Sequence, residues 1–220
     1  MQVEVMKNIL GENDSIAEDN RKFFRDKKIF VLNLMGSPGA GKTSLLEKSI
    51  EQLKSKLNLA IIEGDLFTAK DAERIDKLGI PVVQINTMGG CHLDAPMIQK
   101  VTSDLDIDSL DAVIIENVGN LVCPAEFELG ENKKAVVLSI TEGDDKPSKY
   151  PLIFKESSLI ILNKIDLLPY LNFDLERAKK ELSVMNPRAK IIEVSATTGQ
   201  GISEFCEWIR NEVEHETFSK

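Results

Sequence analysis

The stretch GSPGAGKT, Gly36 to Thr43, follows a strand-length apolar run, IFVLNLM, and precedes a segment with helical spacing. No other feature of the chain narrows its fold so far. In that context G-x-x-x-x-G-K-[ST] forms a phosphate loop, because successive backbone N–H groups and the helix N-terminus converge on anionic oxygens. Gly36, Ser37, Pro38, Gly39, Ala40, Gly41, Lys42, Thr43 and Ser44 are therefore expected to surround phosphates. Lys42 would reach the outer groups and Thr43 would coordinate Mg2+.

Further apolar runs, LNLAIIE, PVVQIN, DAVIIEN, AVVLSI, LIILN and KIIEVS, are mostly separated by helical patterns. That alternation predicts an α/β P-loop fold, a mostly parallel sheet with helices on both faces. Leu45, Leu46, Ser49, Ile50, Leu53 and Leu57 share one side of a predicted helix, and Ala72, Ile75 and Leu78 share one side of another that stops at Gly79. Asp94 and Pro96 mark a further helix start, while DLERAKKELSVM and ISEFCEWIRNEV supply the last two helices. Ser15 and Glu18 fit a capping box, so residues 1–28 are read as an N-terminal helical extension and 29–220 as the P-loop domain. The polar stretch TEGDDKPSKYP, Thr141 to Pro151, reads as an exposed, adjustable loop.

Composition sets limits. With 27 basic and 36 acidic residues the net charge is −9, which argues against a surface built to grip nucleic acid or anionic lipid. No window approaches the roughly 20 apolar residues of a bilayer span, and no leader pattern opens the chain, so a cytoplasmic location is expected. Three cysteines without close, even spacing favour free thiols or metal ligands over disulfides.

NKID, Asn163 to Asp166, follows the strand LIILN and so belongs to the ligand edge of the sheet. An Asp166 carboxylate accepts the N1–H and exocyclic N2–H of guanine, whereas adenine would leave it unpaired, which selects GTP over ATP; Asn163 and Lys164 are expected to bind the nucleotide beside it. Ser195 and Ala196, opening SATTGQG, resemble the Ser-Ala-Lys loop of GTPases, with Thr197 in place of the lysine. Between these motifs, IIENVGNL places Glu116 and Gly119 at a strand end. Glu-x-x-Gly there resembles the P-loop GTPases that act as dimers, the SIMIBI-type branch. Glu116 would hold the water shell of Mg2+, and the Gly119 N–H would sense a γ-phosphate. Asp65 lies just beyond another strand, as a Mg2+ or water-positioning carboxylate or as a helix N-cap. Lys42, Asp65 and Glu116 are the expected catalytic residues. No glutamine or arginine is assignable from sequence to water positioning or charge neutralisation, so hydrolysis is expected to be slow.

The stretch TMGGCHLDAPM sets Cys91 beside His92 just after one strand, and Cys123 follows another in LVCPAEFE. Thiolate and imidazole suit Ni2+ or Zn2+, and these loops are too polar for core. Cys206, on an amphipathic helix, reads as core. Three ligands leave a coordination vacancy that a symmetric dimer could fill.

Taken together, GSPGAGKTSLLEK, EGD, NTMGGCHLDAPM, IIENVGNLVCP, TEGDDKPSKYP and NKIDLLPY resemble the HypB family, the GTPases that assist nickel insertion into nickel–iron hydrogenase. The resemblance runs from about Asn20 to the C-terminus. It implies a GTP-regulated homodimer with Cys91, His92 and Cys123 at an interfacial metal site. It further implies a nickel-carrying accessory protein and a hydrogenase large-subunit precursor as partners. The chain shows neither the Cys-x-x-Cys-Gly-Cys stretch nor the histidine-rich tract of some members, so the interface site is the one expected. Three rival readings stay open: a regulatory GTPase acting on a protein effector, a urease-type metal chaperone, whose Cys-Pro-His arrangement is missing, and a small-molecule kinase, which has no need of NKID.

Overall fold

A computed structural model describes the backbone of residues 2–67 and 70–218, and the side chains of 10–67 and 70–216. Seven strands follow the seven apolar runs: β1 (Phe30–Gly36), β2 (Leu59–Asp65), β3 (Val82–Asn86), β4 (Ala112–Glu116), β5 (Lys133–Ser139), β6 (Leu159–Asn163) and β7 (Lys190–Val194). Their order is β3-β2-β4-β1-β5-β6-β7, and every pairing is parallel. The central strands are wholly buried because helices cover both faces, which explains why they read as unbroken apolar runs rather than as alternations.

The helices are α1 (Gln2–Lys27), α2 (Lys42–Leu53), α3 (Lys70–Asp76), α4 (Ala95–Val101), α5 (Cys123–Glu126), α6 (Lys146–Lys149), α7 (Pro151–Glu156), α8 (Leu175–Met185) and α9 (Ile202–Phe218). Period-two alternation sorts the strand side chains between them. Leu32, Leu34, Ile61 and Ile114 pack with Leu45, Leu46 and Ile50 of α2 and with Phe205 and Ile209 of α9. Val31, Ile62 and Ile115 face the opposite way, onto Phe24 of α1 and Ile98 of α4. Further along that second face, Val136 and Ile160 meet Phe154 of α7 and Leu182 of α8. Cys206 is buried, and its thiol donates to Ser49 O at 3.6 Å, as expected of a core cysteine.

Several local expectations need correction. Ser15 and Glu18 do not begin a helix, since α1 runs unbroken past both from Gln2. That helix is fixed instead by buried asparagines: Asn20 donates to Ala95 O and Leu129 O, and Asn13 to Glu128 O. Leu57 and Leu78 lie just past the ends of α2 and α3, in turns, although both still pack against the core those helices cover. The stretch 141–151 is ordered structure. Ser139 and Glu142 form a reciprocal cap on a 3-10 turn, Pro147 is buried within α6, and Pro151 opens α7. Local capping and proline chemistry outweighed the polar composition that suggested a loop. Asp94 caps α4 through Met97 N as read.

Candidate nucleotide and metal site

The carboxyl ends of β1, β2, β4 and β6 open into a cleft of about 430 Å3 that runs from Pro38 past Glu63 and Glu116 to Lys164. The chain folds back at the end of β1 through left-handed glycines. At Gly41 (φ 94°) an added Cβ would lie 2.5 Å from Asn163 Nδ2, so the position is closed to other residues by both strain and contact. Asn163 Nδ2 donates to Ala40 O at 2.8 Å, and Lys164 Nζ donates to Gly39 O at 2.6 Å. Residues 163 and 164 thus brace the loop at 36–43 from the base side. Ser37 Oγ donates to Glu142 Oε2 at 2.5 Å, which fastens the loop's other flank to the capped turn after β5.

Lys42 and Thr43 open α2 and are buried. Lys42 Nζ lies 3.4 Å from Gly36 O and 3.5 Å from Ser37 O, and Thr43 Oγ1 donates to Glu116 Oε1 at 2.9 Å. Glu116 sits beside Glu63 because β2 and β4 pair in that register. The two carboxyls hydrogen-bond each other, and Glu63 Oε2 and Glu116 Oε2 meet no other donor among the described residues. Burial, followed by repulsion from Glu116, pushes Glu63 far above the usual carboxylate range. Burial also raises Glu116, opposed by Lys42 and by the hydrogen bonds from Glu63 and Thr43. Both carboxyls are thus held above the usual carboxylate range, and the pair shares a proton. This hydroxyl and paired-carboxyl set, short of donors, is chemistry that suits a hard divalent cation such as Mg2+.

Asp65 lines the cleft as the last residue of β2. It does not cap α3, which begins five residues later; its Oδ1 accepts from Phe67 N at 2.8 Å in a tight turn. An arginine does stand at the cleft. Arg74 of α3 pairs with Glu47 Oε2 at 2.6 Å and Asp71 Oδ1 at 2.9 Å, and donates to Ser44 Oγ at 3.2 Å. Sequence reading passed over Arg74 because only the packing of α3 on α2 brings it to the phosphate loop. Glu63 was legible in principle, since an acid in the buried run AIIEGD needs a reason.

Asp166 and Ser195 meet beyond the end of β6, outside the residues that line the cleft. Ser195 is buried and its Oγ donates to Asp166 Oδ1 at 2.6 Å, while Thr198 N donates to Ser195 Oγ at 3.1 Å. Ala196 follows, half-buried. Gly119 backs onto the phosphate loop, where an added Cβ would meet Pro38 N and Cα at 2.8 Å.

Cys91, His92 and Cys123 converge. Their ligand atoms all lie within 4.8 Å of one another, with Cys91 Sγ 3.2 Å from Cys123 Sγ and 3.6 Å from His92 Nδ1. The hydrogen bond from Cys91 pushes the Cys123 thiol up, with burial adding to it. Burial lowers the His92 pKa, opposed by Asp94 and Glu126, which favours the neutral ring whose lone pair can serve a metal. Its orientation is held by Phe127, whose ring centroid is 3.9 Å away at 31°. Two sulfurs and one imidazole form a soft to borderline donor set that suits Ni2+ or Zn2+.

The all-parallel seven-stranded sheet, with a phosphate loop after β1 and the Asn163–Asp166 edge braced against it, defines a SIMIBI-type P-loop nucleotide-binding protein. Residues 30–193 match the family described as CobW/HypB/UreG, nucleotide-binding domain. The chain belongs to this family and, within it, to the HypB proteins. Hydrogenase maturation factor HypB of Escherichia coli K12 is 49% identical over 210 residues, covering 96% of this chain and 72% of that one. The crystal structure of hydrogenase maturation factor HypB from Archaeoglobus fulgidus superposes with a TM-score of 0.86 at 40% identity, covering 93% of this chain and 100% of that one. The structure of HypB from Helicobacter pylori in complex with nickel gives 0.88 at 34% identity, covering 95% and 98%.

Proposed function

We propose that the protein is a GTP-hydrolysing metallochaperone that assists nickel insertion into nickel–iron hydrogenase, with GTP-dependent homodimerisation coupled to metal binding. One observation carries this reading. The short segment from Glu116 to Cys123 begins in the phosphate cleft and ends at the thiol pair, so the nucleotide and metal sites are two ends of one piece of backbone. The relatives named above, one of them crystallised with nickel, support the same reading.

On this reading residues 29–220 are the GTPase domain and 1–28 a helical extension. The backbone of 36–41, with Ser44 and the Gly119 N–H, cradles the phosphates, while Lys42 neutralises the outer ones. Asp166 selects guanine, held in place by Ser195, with Asn163, Lys164 and Ala196 around the base. Thr43 and Glu116, with Glu63 and Asp65 nearby, would hold Mg2+, which when bound supplies charge neutralisation at the β- and γ-phosphates. Asp65 and Glu116 position the attacking water. Hydrolysis is slow, because the ion pairs of Arg74 with Glu47 and Asp71 compete with any phosphate for its guanidinium. Cys91, His92 and Cys123 take nickel or zinc as cargo.

A second copy of the chain fits the rim. Met88 (86% exposed) and Phe67 (69%), with Leu66 and Val122, form exposed apolar surface next to the cysteine loops. Burying such side chains between protomers contributes on the order of 25 cal/mol per Å2 of apolar area. It would also bring a second set of three ligands to the same place. A nickel-carrying accessory protein and a hydrogenase large-subunit precursor are the proposed further partners, and the cytoplasm the proposed location. Among the described residues no helix is long and apolar enough to cross a membrane.

The test is titration of Ni2+ and Zn2+ into GDP-loaded protein and into protein loaded with a non-hydrolysable GTP analogue, with mass in solution measured alongside. Different affinity and stoichiometry in the two states are expected, and identical values would remove the coupling. Retention of wild-type metal binding by Cys91→Ala would instead point to a regulatory switch whose cysteine is incidental.

A further inference from the structure

Asn120 lies midway along the segment that joins the two sites, and its backbone and side chain face opposite ways. Its backbone N–H donates to Gly36 O at 3.0 Å, forming an isolated bridge to the first residue of the phosphate loop. Its side-chain Nδ2 donates to Cys91 O at 3.2 Å, and the same amide hydrogen-bonds the Cys123 thiol. Its Oδ1 accepts from Val122 N at 2.9 Å, which fixes the rotamer. This one residue therefore touches the phosphate loop and both sulfur-bearing loops.

We propose that Asn120 is the positioning residue that couples phosphate occupancy of the Gly36–Thr43 loop to the spacing of Cys91 and Cys123. The proposal rests on the reading above, that the cleft takes GTP and the cysteine–histidine cluster takes nickel.

At the phosphate end, Gly36 O accepts from Asn120 N–H and also lies 3.4 Å from Lys42 Nζ. A phosphate is a charged acceptor and outcompetes that long contact to a neutral carbonyl for the ammonium group. The adjoining backbone cannot absorb the change silently, because Gly119 packs so closely on Pro38 that not even a methyl group would fit between them. Movement at residues 36–38 is therefore passed to 119–120. At the metal end, the Asn120 amide bonds Cys91 O and interacts with the Cys123 thiol, so displacing that amide shifts the Cys91 loop and the Cys123 thiol together. The Cys91 loop is pinned on its far side, where buried Asn117 accepts from Leu93 N at 3.1 Å. Asn117 is held in turn, its Nδ2 donating to Asn33 Oδ1 at 3.1 Å. Because Leu93 is fixed, displacement of Asn120 appears at Cys91.

The test uses Asn120→Ser and Asn120→Ala in the full chain. Serine keeps an oxygen for Val122 N but is too short to reach Cys91 O, and both variants retain the backbone bond to Gly36. Nickel(II) chloride is titrated into the GDP-loaded and GTP-analogue-loaded forms, with thiolate-to-nickel charge-transfer absorption as the signal and nucleotide affinity as the control for folding. The wild type is expected to show a ratio of nickel affinities within the range of about 5- to 150-fold typical of coupled sites. In both variants the ratio falls to about one, nickel still binds, and the charge-transfer band no longer differs between nucleotide states. A variant that keeps the wild-type ratio overturns the proposal. So does one that binds no nickel in either state, since Asn120 would then be a structural part of the metal site. A wild type with no difference between nucleotide states overturns the coupling reading itself, whatever the variants do.

Discussion

Replacing Asp166 by asparagine tests the guanine reading at a single atom. The carboxylate accepts Ser195 Oγ–H on Oδ1 at 2.6 Å, and the side chain lies at the ligand edge just beyond Asn163 of β6. Asparagine keeps a carbonyl oxygen for Ser195, so folding is hardly affected. The second position, however, becomes an NH2 donor facing the N1–H and N2–H donors of guanine. Hydrogen bonds to charged groups contribute about 1.5–3 kcal/mol each, so two of them amount to about 3–6 kcal/mol. Asp166 is only half-buried, which favours the lower end. At about 1.4 kcal/mol per tenfold, GTP affinity should fall by roughly 100-fold or more. Xanthosine triphosphate carries a carbonyl where guanine carries N2 and can accept from the new amide, so its affinity should rise as that of GTP falls. Competition binding against a fluorescent nucleotide measures both. An Asp166→Asn protein that binds GTP as tightly as the wild type, or one that loses xanthosine and guanosine triphosphates alike, would refute the base-reading argument.

Other substitutions probe the rest of the cleft. In Glu63→Gln an amide replaces a carboxyl that burial, with Glu116 beside it, already holds far above the usual carboxylate range, so the fold should survive while Mg2+-dependent hydrolysis is lost. Because the folded pKa of Glu63 is raised, its contribution to stability is complete below about pH 4.3, the unfolded value, and declines as pH rises towards the folded value. The thermal midpoint of the glutamine variant without Mg2+ should therefore gain on the wild type between pH 5 and pH 8, and a constant difference would contradict the assignment. Gly119→Ala drives a methyl group into Pro38 at 2.8 Å. Overpacking of this kind costs about 1–3 kcal/mol, which denaturant melts would show, together with weaker GTP binding.

Much of the site was legible because its chemistry is local in sequence. The turn at 36–43 must be glycine-rich to curl, Lys42 and Thr43 must follow it, and Asn163 and Asp166 must stand three residues apart at a strand end. Each requirement leaves a visible pattern in the sequence. Cys91, His92 and Cys123 were recognisable from residue type and from their places after strands, though sequence offered no distance between them. Glu63, Arg74, Asn120 and Phe127 escaped notice because each works through a neighbour distant in the chain: Glu116 across a strand pair, Glu47 across a helix pair, Gly36 across the sheet end, and the His92 ring. The stretch 141–151 misled for a related reason. Its polarity signals solvent, yet Glu142 caps its own turn and reaches Ser37 of the phosphate loop.

By itself the amino-acid sequence determined the seven strands, the crossover helices between them and the motif that each strand end carries, because strand burial, helix periodicity and turn chemistry act over a few residues. Tertiary structure alone decided that β4 lies between β1 and β2. That placement brings Glu116 against Glu63 and Thr43, and it sends residues 117–123 across the phosphate loop to meet Cys91. Strand order is a global choice, set by which faces can be buried at once, and no short stretch of chain contains it.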